Sequence, residues 1–216
     1  MKKNRFFAVV FCAMLVAVCA FLCAPALAEV AVNRVEPLPP TLDTEHLTDC
    51  MFYAAFASDD VYLNDDGALV IHMTVYDYEL FDLVDIANLA VGDTIVIDGA
   101  EQTVASIQAD EESGYLLING GYDEDGYTMT TDENGVYYVM DVNDSRHYRA
   151  LGEATLRVDQ EFTMEDSSDL DSPEKILYAG DLLTDIAPYD VSFFPDNTLV
   201  TFAGGFITKI EVFYVP

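Results

Sequence analysis

Tryptophan is absent from the 216 residues, and positive charge is scarce, with nine lysines and arginines against 39 aspartates and glutamates. The formal charge of −30 excludes binding to nucleic acid and to anionic lipid, because no basic patch exists to release counterions. The missing indole weakens any carbohydrate-stacking surface, which leaves tyrosine and phenylalanine to supply the aromatic area. Cysteine is nearly as sparse. Cys12, Cys19 and Cys23 sit in the first 23 residues, so beyond them Cys50 stands alone and has no internal disulfide partner. Cys50 heads an apolar run beside Asp49, an environment that suits a packed thiol better than a nucleophile. Catalytic motifs are missing too: there is no G-x-S-x-G, no H-E-x-x-H and no Cys/His metal spacing. A chain this acidic can be disordered, but 51% hydrophobic and 12% aromatic residues argue for a packed core.

What is present begins with an export signal. Lys2, Lys3 and Arg5 precede an uncharged apolar run over residues 6–22, and Ala26-Leu27-Ala28 supplies the small-x-small pattern of a cleavage site. A membrane anchor is the rival reading, since the run is nearly long enough to span. Pro25, the cleavage pattern and Glu29 favour cleavage. The sequences before Cys19 and Cys23 match a lipid-attachment box poorly. Cleavage after Ala28 leaves 188 residues and removes three basic and no acidic residues, which moves the charge from −30 to −33. The expected organisation is a signal peptide over 1–28, an extended proline-containing leader over 29–48, and a single acidic β-rich domain over 49–216. No membrane contact is expected after cleavage.

The centre of the domain is the stretch LAVGDTIVIDGAEQTVASI, residues 89–107. Two β-branched runs, 91–97 and 103–107, flank Asp98-Gly99, a pair that favours a tight hairpin turn. Ile95, Val96 and Ile97 are consecutive and apolar, which predicts a strand covered on both faces. Alternation in residues 68–76 puts Leu69, Ile71, Met73 and Val75 on one face and His72 on the other. Further strands are expected at 50–57, 115–119, 127–130, 136–140, 154–160, 191–194, 199–203 and 206–215. Residues 79–89 carry helical spacing. Ser172, Pro173 and Glu174 read as a helix start, with Gly180 dividing the segment up to Pro188 into two short helices. The fold class is mainly β, an antiparallel meander forming a small barrel or sandwich with one or two short helices.

Three constellations carry candidate chemistry. Asp123, Asp125, Asp132, Asp166, Asp169 and Asp171 lie in acidic turns that offer oxygen ligands to calcium, though none follows the twelve-residue calcium loop. Acids in strand-connecting turns are also ordinary in a soluble acidic β-protein, and no cofactor is otherwise expected. Arg146, His147 and Arg149 concentrate the positive charge. They either pair with internal carboxylates or form a carboxylate-binding site. Tyr53, Tyr62, Tyr76, Tyr78, Tyr115, Tyr122, Tyr127, Tyr137 and Tyr138 offer a platform, although strand packing accounts for most of them.

Leu89 and Val91-Gly92-Asp93 with the hydrophobic run that follows resemble the L-x-VGD-x hairpin of small β-barrels, including sortases and SH3-like modules. The sortase motif T-L-x-T-C finds a partial match in Thr41-Leu42-Asp43-Thr44, but Glu45 occupies the nucleophile's place and no histidine precedes it, so that activity does not carry over. The mature chain as a whole looks like uncharacterised secreted proteins of Gram-positive gut bacteria, on the YDYELFDL stretch, Asn119-Gly120-Gly121 and the Tyr214-Val215-Pro216 end. That resemblance implies no activity. The expected function is a non-catalytic extracellular module that binds a ligand or a cell-envelope component. The alternative is a carboxylate-dependent hydrolase acting on glycans or peptides.

Overall fold

The computed structural model describes residues 32–132, 134–140, 146–186 and 193–215. The expected signal run 6–22 lies outside them. The elements below belong to one compact unit, Asn33–Pro216. In chain order they are β1 (Arg34–Val35), β2 (Cys50–Ala55), β3 (Val61–Leu63), β4 (Leu69–Tyr78), β5 (Leu80–Phe81), α1 (Leu83–Ala87), β6 (Thr94–Ile97), β7 (Ala100–Thr103) and β8 (Ile107–Ala109). There follow β9 (Leu116–Ile118), β10 (Tyr127–Thr131), β11 (Tyr137–Met140), β12 (Tyr148–Ser167), β13 (Lys175–Tyr178), α2 (Leu182–Asp185), β14 (Thr198–Ala203) and β15 (Phe206–Phe213).

The fold is mainly β with a closed five-stranded barrel and two short helices. Closure follows from β12, which is 20 residues long. Residues 148–157 pair antiparallel with β4, and Val158 and residues 163–167 pair parallel with β15. The ring then runs β15–β14–β2 and back to β4. Numbered by chain order, the barrel strands neighbour one another as 1-2-3-5-4-1, with only the third and fifth parallel. Strand 12 turns the corner at two register shifts, one at Ala150/Gly152 and one between Val158 and Thr163. Such bulges bend a strand enough to close a barrel. Gly152 has φ +154° and brings its backbone against Thr44, so a side chain there meets both strain and a neighbour.

Alternation fills the barrel. Phe52 and Ala54 from β2, Ile71, Met73 and Val75 from β4, and Ala154 and Met164 from β12 join Val200, Ile207 and Ile210 in one core. Leu182 and Ile186, in and just after α2, plug it. Strands β3 and β13 lie outside the ring at the two ends of this sheet.

A second core forms between β4 and β12 in the sequence. It is built by the sheet β5–β11–β10–β9–β8 and the smaller sheet β1–β6–β7. Phe81, Ile86, Ile95, Ile97, Val104, Ile118 and Met129 are buried in it. The hairpin turn has Asp98 at φ 53° and Gly99 at φ 70°, the doubly left-handed pair that matches the twist of the flanking strands. Ile95 and Ile97 face the second core while Val96 faces the leader and β12, so the strand is covered on both sides.

Several expectations are corrected. The leader 29–48 is no free tether from Asn33 onward: β1 pairs in parallel with β6, and Leu38 N–H donates to Leu80 O. Leu42 and Leu47 rest on the barrel core. The run 103–107 does not continue as one strand, because β7 ends at Thr103 and β8 starts at Ile107. Only Leu83–Ala87 of the expected helix over 79–89 is helical, because Leu80 and Phe81 are taken up as the partner of β11. Ser172 caps no helix: its hydroxyl donates to Asp169, and residues 175–178 become a strand on the edge of β12. Nonlocal pairing overrides the local helix signal there, and Gly180 separates that strand from α2. Residues 191 and 192 of the expected strand 191–194 lie outside the described residues, and Phe193 forms an isolated bridge with Phe56.

Ile95→Ala removes a fully buried side chain at the centre of the second core. It is expected to cost about 2–5 kcal/mol, read from the shift in urea midpoint of the purified chain at constant m-value.

Candidate functional site

A concavity of about 820 Å³ opens at one end of the barrel. Its apolar side comes from Leu63, Leu69 and Phe206, and its polar side from Arg157, Asp159 and Glu161. Asn64 shapes the rim, since its side-chain oxygen accepts from Asp66 N–H and Ala68 N–H and so tightens the β3–β4 turn. On the opposite rim Ala179 and Gly180 follow β13. Arg157 reaches Asp66 at 3.4 Å. Phe206 and Leu63 stay exposed although both are large and apolar. The concavity's described lining combines apolar area with hydrogen-bonding side chains. It contains no serine, cysteine or histidine to act as nucleophile or imidazole base. Sequence reasoning missed this site, because nothing local distinguishes Phe206 or Leu63 from core residues.

The basic segment lies elsewhere, where the second core meets the barrel. Arg146 stacks its guanidinium 4.3 Å from the Tyr78 ring centre and 4.6 Å from that of Tyr138. His147 Nε2 lies 2.7 Å from Asp98 Oδ2. Arg149 donates to Leu38 O at 3.1 Å and stands 3.8 Å from Glu79, while its buried Nε has no hydrogen-bond partner among the described residues. The structure therefore brings His147 and Arg149 to one pair of acids and sends Arg146 to the tyrosines. Tyr78 belongs to a cluster with Tyr53 and Tyr148, ring centres 4.8–5.4 Å apart. Burial, with a hydrogen bond to Tyr53, pushes the Tyr78 phenol up to about 12, and burial with the bond to Tyr78 pushes Tyr148 further still.

Glu79 is the pivot of this junction. It is buried, and both its oxygens accept from the N–H of Asp98, the first residue of the hairpin turn. Burial raises its pKa, only partly opposed by the Asp98 N–H and Arg149. A cavity of about 650 Å³ lies alongside, bordered by Glu36, Glu79, Asp98 and Arg149. Three carboxylates against one guanidinium repel an anionic ligand, so the geometry favours internal pairing for these cations.

Three of the acidic turn residues, Asp132, Asp166 and Asp169, hold backbone N–H groups. Asp132 accepts from Asn134 N–H at 2.8 Å and Val136 N–H at 3.2 Å. Burial raises its pKa, but those bonds outweigh it and the carboxyl ends below its usual range. Asp166 accepts from Ser168 N–H and Oγ. Asp169 accepts from the Ser172 hydroxyl and Asp171 N–H, which lowers its pKa in that order. Asp123 lies in a single 3-10 turn, Tyr122–Glu124, and Asp125 follows in the left-handed region. Among the described residues no three acids, histidines or cysteines converge on a metal position. None of the described helices is long and apolar enough to cross a membrane. Family models, curated proteins and solved structures contain no match to this chain.

Because the folded state holds the Glu79 proton more tightly than the unfolded chain, wild-type stability falls as pH rises from the ordinary glutamate pKa to the raised one. Glu79→Gln lacks that slope. The stability difference is therefore expected to move in favour of Gln across this window and to flatten above it, measured by urea midpoints at stepped pH. A pH-independent difference would mean the buried carboxyl is fully compensated. The turn acids lead to a second expectation: calcium and sodium chloride at equal ionic strength raise Tm equally, through screening alone. A saturable gain at micromolar calcium, lost in Asp169→Asn with Asp171→Asn, would reveal a specific site.

Proposed function

We propose that this chain is an exported, non-catalytic binding module that holds an extended ligand in the cleft at the barrel end. The observation that carries this reading is the pairing of an exposed apolar floor, Leu63 and Phe206, with hydrogen-bonding side chains and no nucleophile. Five-stranded Greek-key barrels of the OB type take oligomeric ligands beside the loops joining their first and second and their fourth and fifth strands. The β3–β4 turn and the start of β15 occupy those two places here. This is an analogy of fold and supports only the location. Charge narrows the ligand. Anionic polymers are repelled by a chain of net −30, so an uncharged or cationic envelope polymer fits.

One observation favours the hydrolase reading. Glu79, whose pKa burial raises, borders a cavity together with Asp98, and glycosidases use a pair of carboxyl groups flanking the scissile bond. Against it, the Glu79 carboxylate is 1% exposed and already bound to the turn N–H it clamps.

The test is titration of the purified chain with uncharged oligosaccharides and basic peptides, followed by calorimetry and by chromatography of the ligand. Saturable binding weakened at least tenfold by Phe206→Ala, with the ligand recovered intact, is the expected result. Binding indifferent to Phe206→Ala would remove the cleft from the account. Ligand cleavage abolished by Glu79→Gln would establish the hydrolase instead.

A further inference from the structure

The cleft floor is a stretch of strand that lacks a neighbour. Along one edge of β12 the pairing with β4 ends at Arg157↔Val70, and the pairing with β13 begins at Thr163↔Tyr178. Along the other edge the pairing with β15 jumps from Val158↔Ile207 to Thr163↔Lys209, five steps on β12 against two on its partner. Residues 159–162 thus have no strand partner on either side among the described residues, and Asp159, Gln160 and Glu161 all face the cleft. Glu161 N–H is turned back to Asp159 Oδ1 at 2.7 Å, while Gln160 and Glu161 are exposed.

Resting on the reading of this cleft as a ligand site, we propose that its ligand is an extended basic polypeptide segment, which pairs its main chain with β12 at residues 159–162. An unpaired strand segment is a template for strand addition, where main-chain bonds give affinity and flanking pockets receive alternate side chains. Both flanks suit that geometry: Leu69 starts β4 on one side and Ala179 follows β13 on the other, so the added segment lies between two existing strand ends. Leu63 and Phe206 receive apolar side chains. Asp159, Glu161 and Asp66 attract lysine or arginine, and Arg157 is already engaged with Asp66. A second copy of this acidic chain is repelled at the same place, so the occupant is a partner of opposite charge.

The probe is a capped six-residue peptide of alternating lysine and valine. It is compared with the same peptide N-methylated at alternate residues, which keeps charge and side chains but loses donors. A chitin-type oligosaccharide is the third ligand. The expected result is saturable binding of the first peptide, at least tenfold weaker binding of the N-methylated one, and slowed amide exchange confined to residues 158–163. Glu161→Gln, an exposed substitution, is expected to weaken the first peptide severalfold with Tm unchanged. Equal binding of the two peptides, or protection spread over the acidic surface, would overturn the proposal in favour of plain charge attraction. If only the oligosaccharide binds, with dependence on Phe206, the cleft remains a ligand site and the peptide proposal fails. If nothing binds, both fail.

Discussion

Strand 12 has to satisfy two partners that run in different directions. It begins antiparallel to β4 and ends parallel to β15, and holding one partner at each end of a closed ring of five demands more curvature than a straight strand of 20 residues has. The shifts at Gly152 and after Val158 resolve that conflict by bending the strand twice. Everything else follows from the bend. The first bend leaves Tyr148 and Arg149 beside the end of β4, where the second core is inserted, so the junction residues are carried on the closing strand itself. The second bend leaves residues 159–162 unpaired, and the cleft lies over them.

The junction shows how an acidic chain tolerates buried charge. Glu79 gives up hydration to hold the N–H of Asp98, and so fixes the turn that sets the register of β6 and β7. Taking a carboxylate out of water costs several kcal/mol unless it is well paired, and Arg149 at 3.8 Å pairs it loosely. The upward shift of the Glu79 pKa records that imbalance. Arg146 contributes differently, since its guanidinium spans Tyr78 of β4 and Tyr138 of β11 and so bridges the barrel to the inserted sheet. Arg146 and Arg149 thus stand where the two cores join, Arg34 ties the leader to Glu101 of β7, and Lys209 and Arg157 pair with acids of the barrel.

Local physics made the hairpin at Asp98-Gly99 and the alternating face of β4 readable in advance, because both depend on neighbours within a few residues. Of Ile95, Ile97, Val104 and Ile107, expected to be mostly buried on those grounds, the first three are buried and Ile107 is partly buried against the second core. Residues 172–178 went the other way: a Ser-Pro-Glu start signals a helix, yet Lys175–Tyr178 gains more by pairing with residues 163–166 of β12. Docking of the leader was equally hidden, since Arg34–Val35 is too short a strand to show a period. The cleft could not be read at all. It arises from a gap between two pairings, and a gap has no residue signature. The turn acids, in contrast, were visible as a pattern but carried two meanings. In the structure Asp132, Asp166 and Asp169 accept from the backbone N–H groups of Asn134, Ser168 and Asp171.

An open strand segment is a hazard to any protein, because another exposed edge can pair with it. Closing the barrel protects most of the sheet, and the remaining gap is guarded by charge: Asp159 and Glu161 within it, Asp66 on its rim. Carboxylates at that spacing repel the edges of other copies, which carry the same excess of acid. They do not repel a basic strand. The guard against self-pairing and the preference for a cationic partner are therefore one property of the same three side chains. It needs no second device to make the cleft selective.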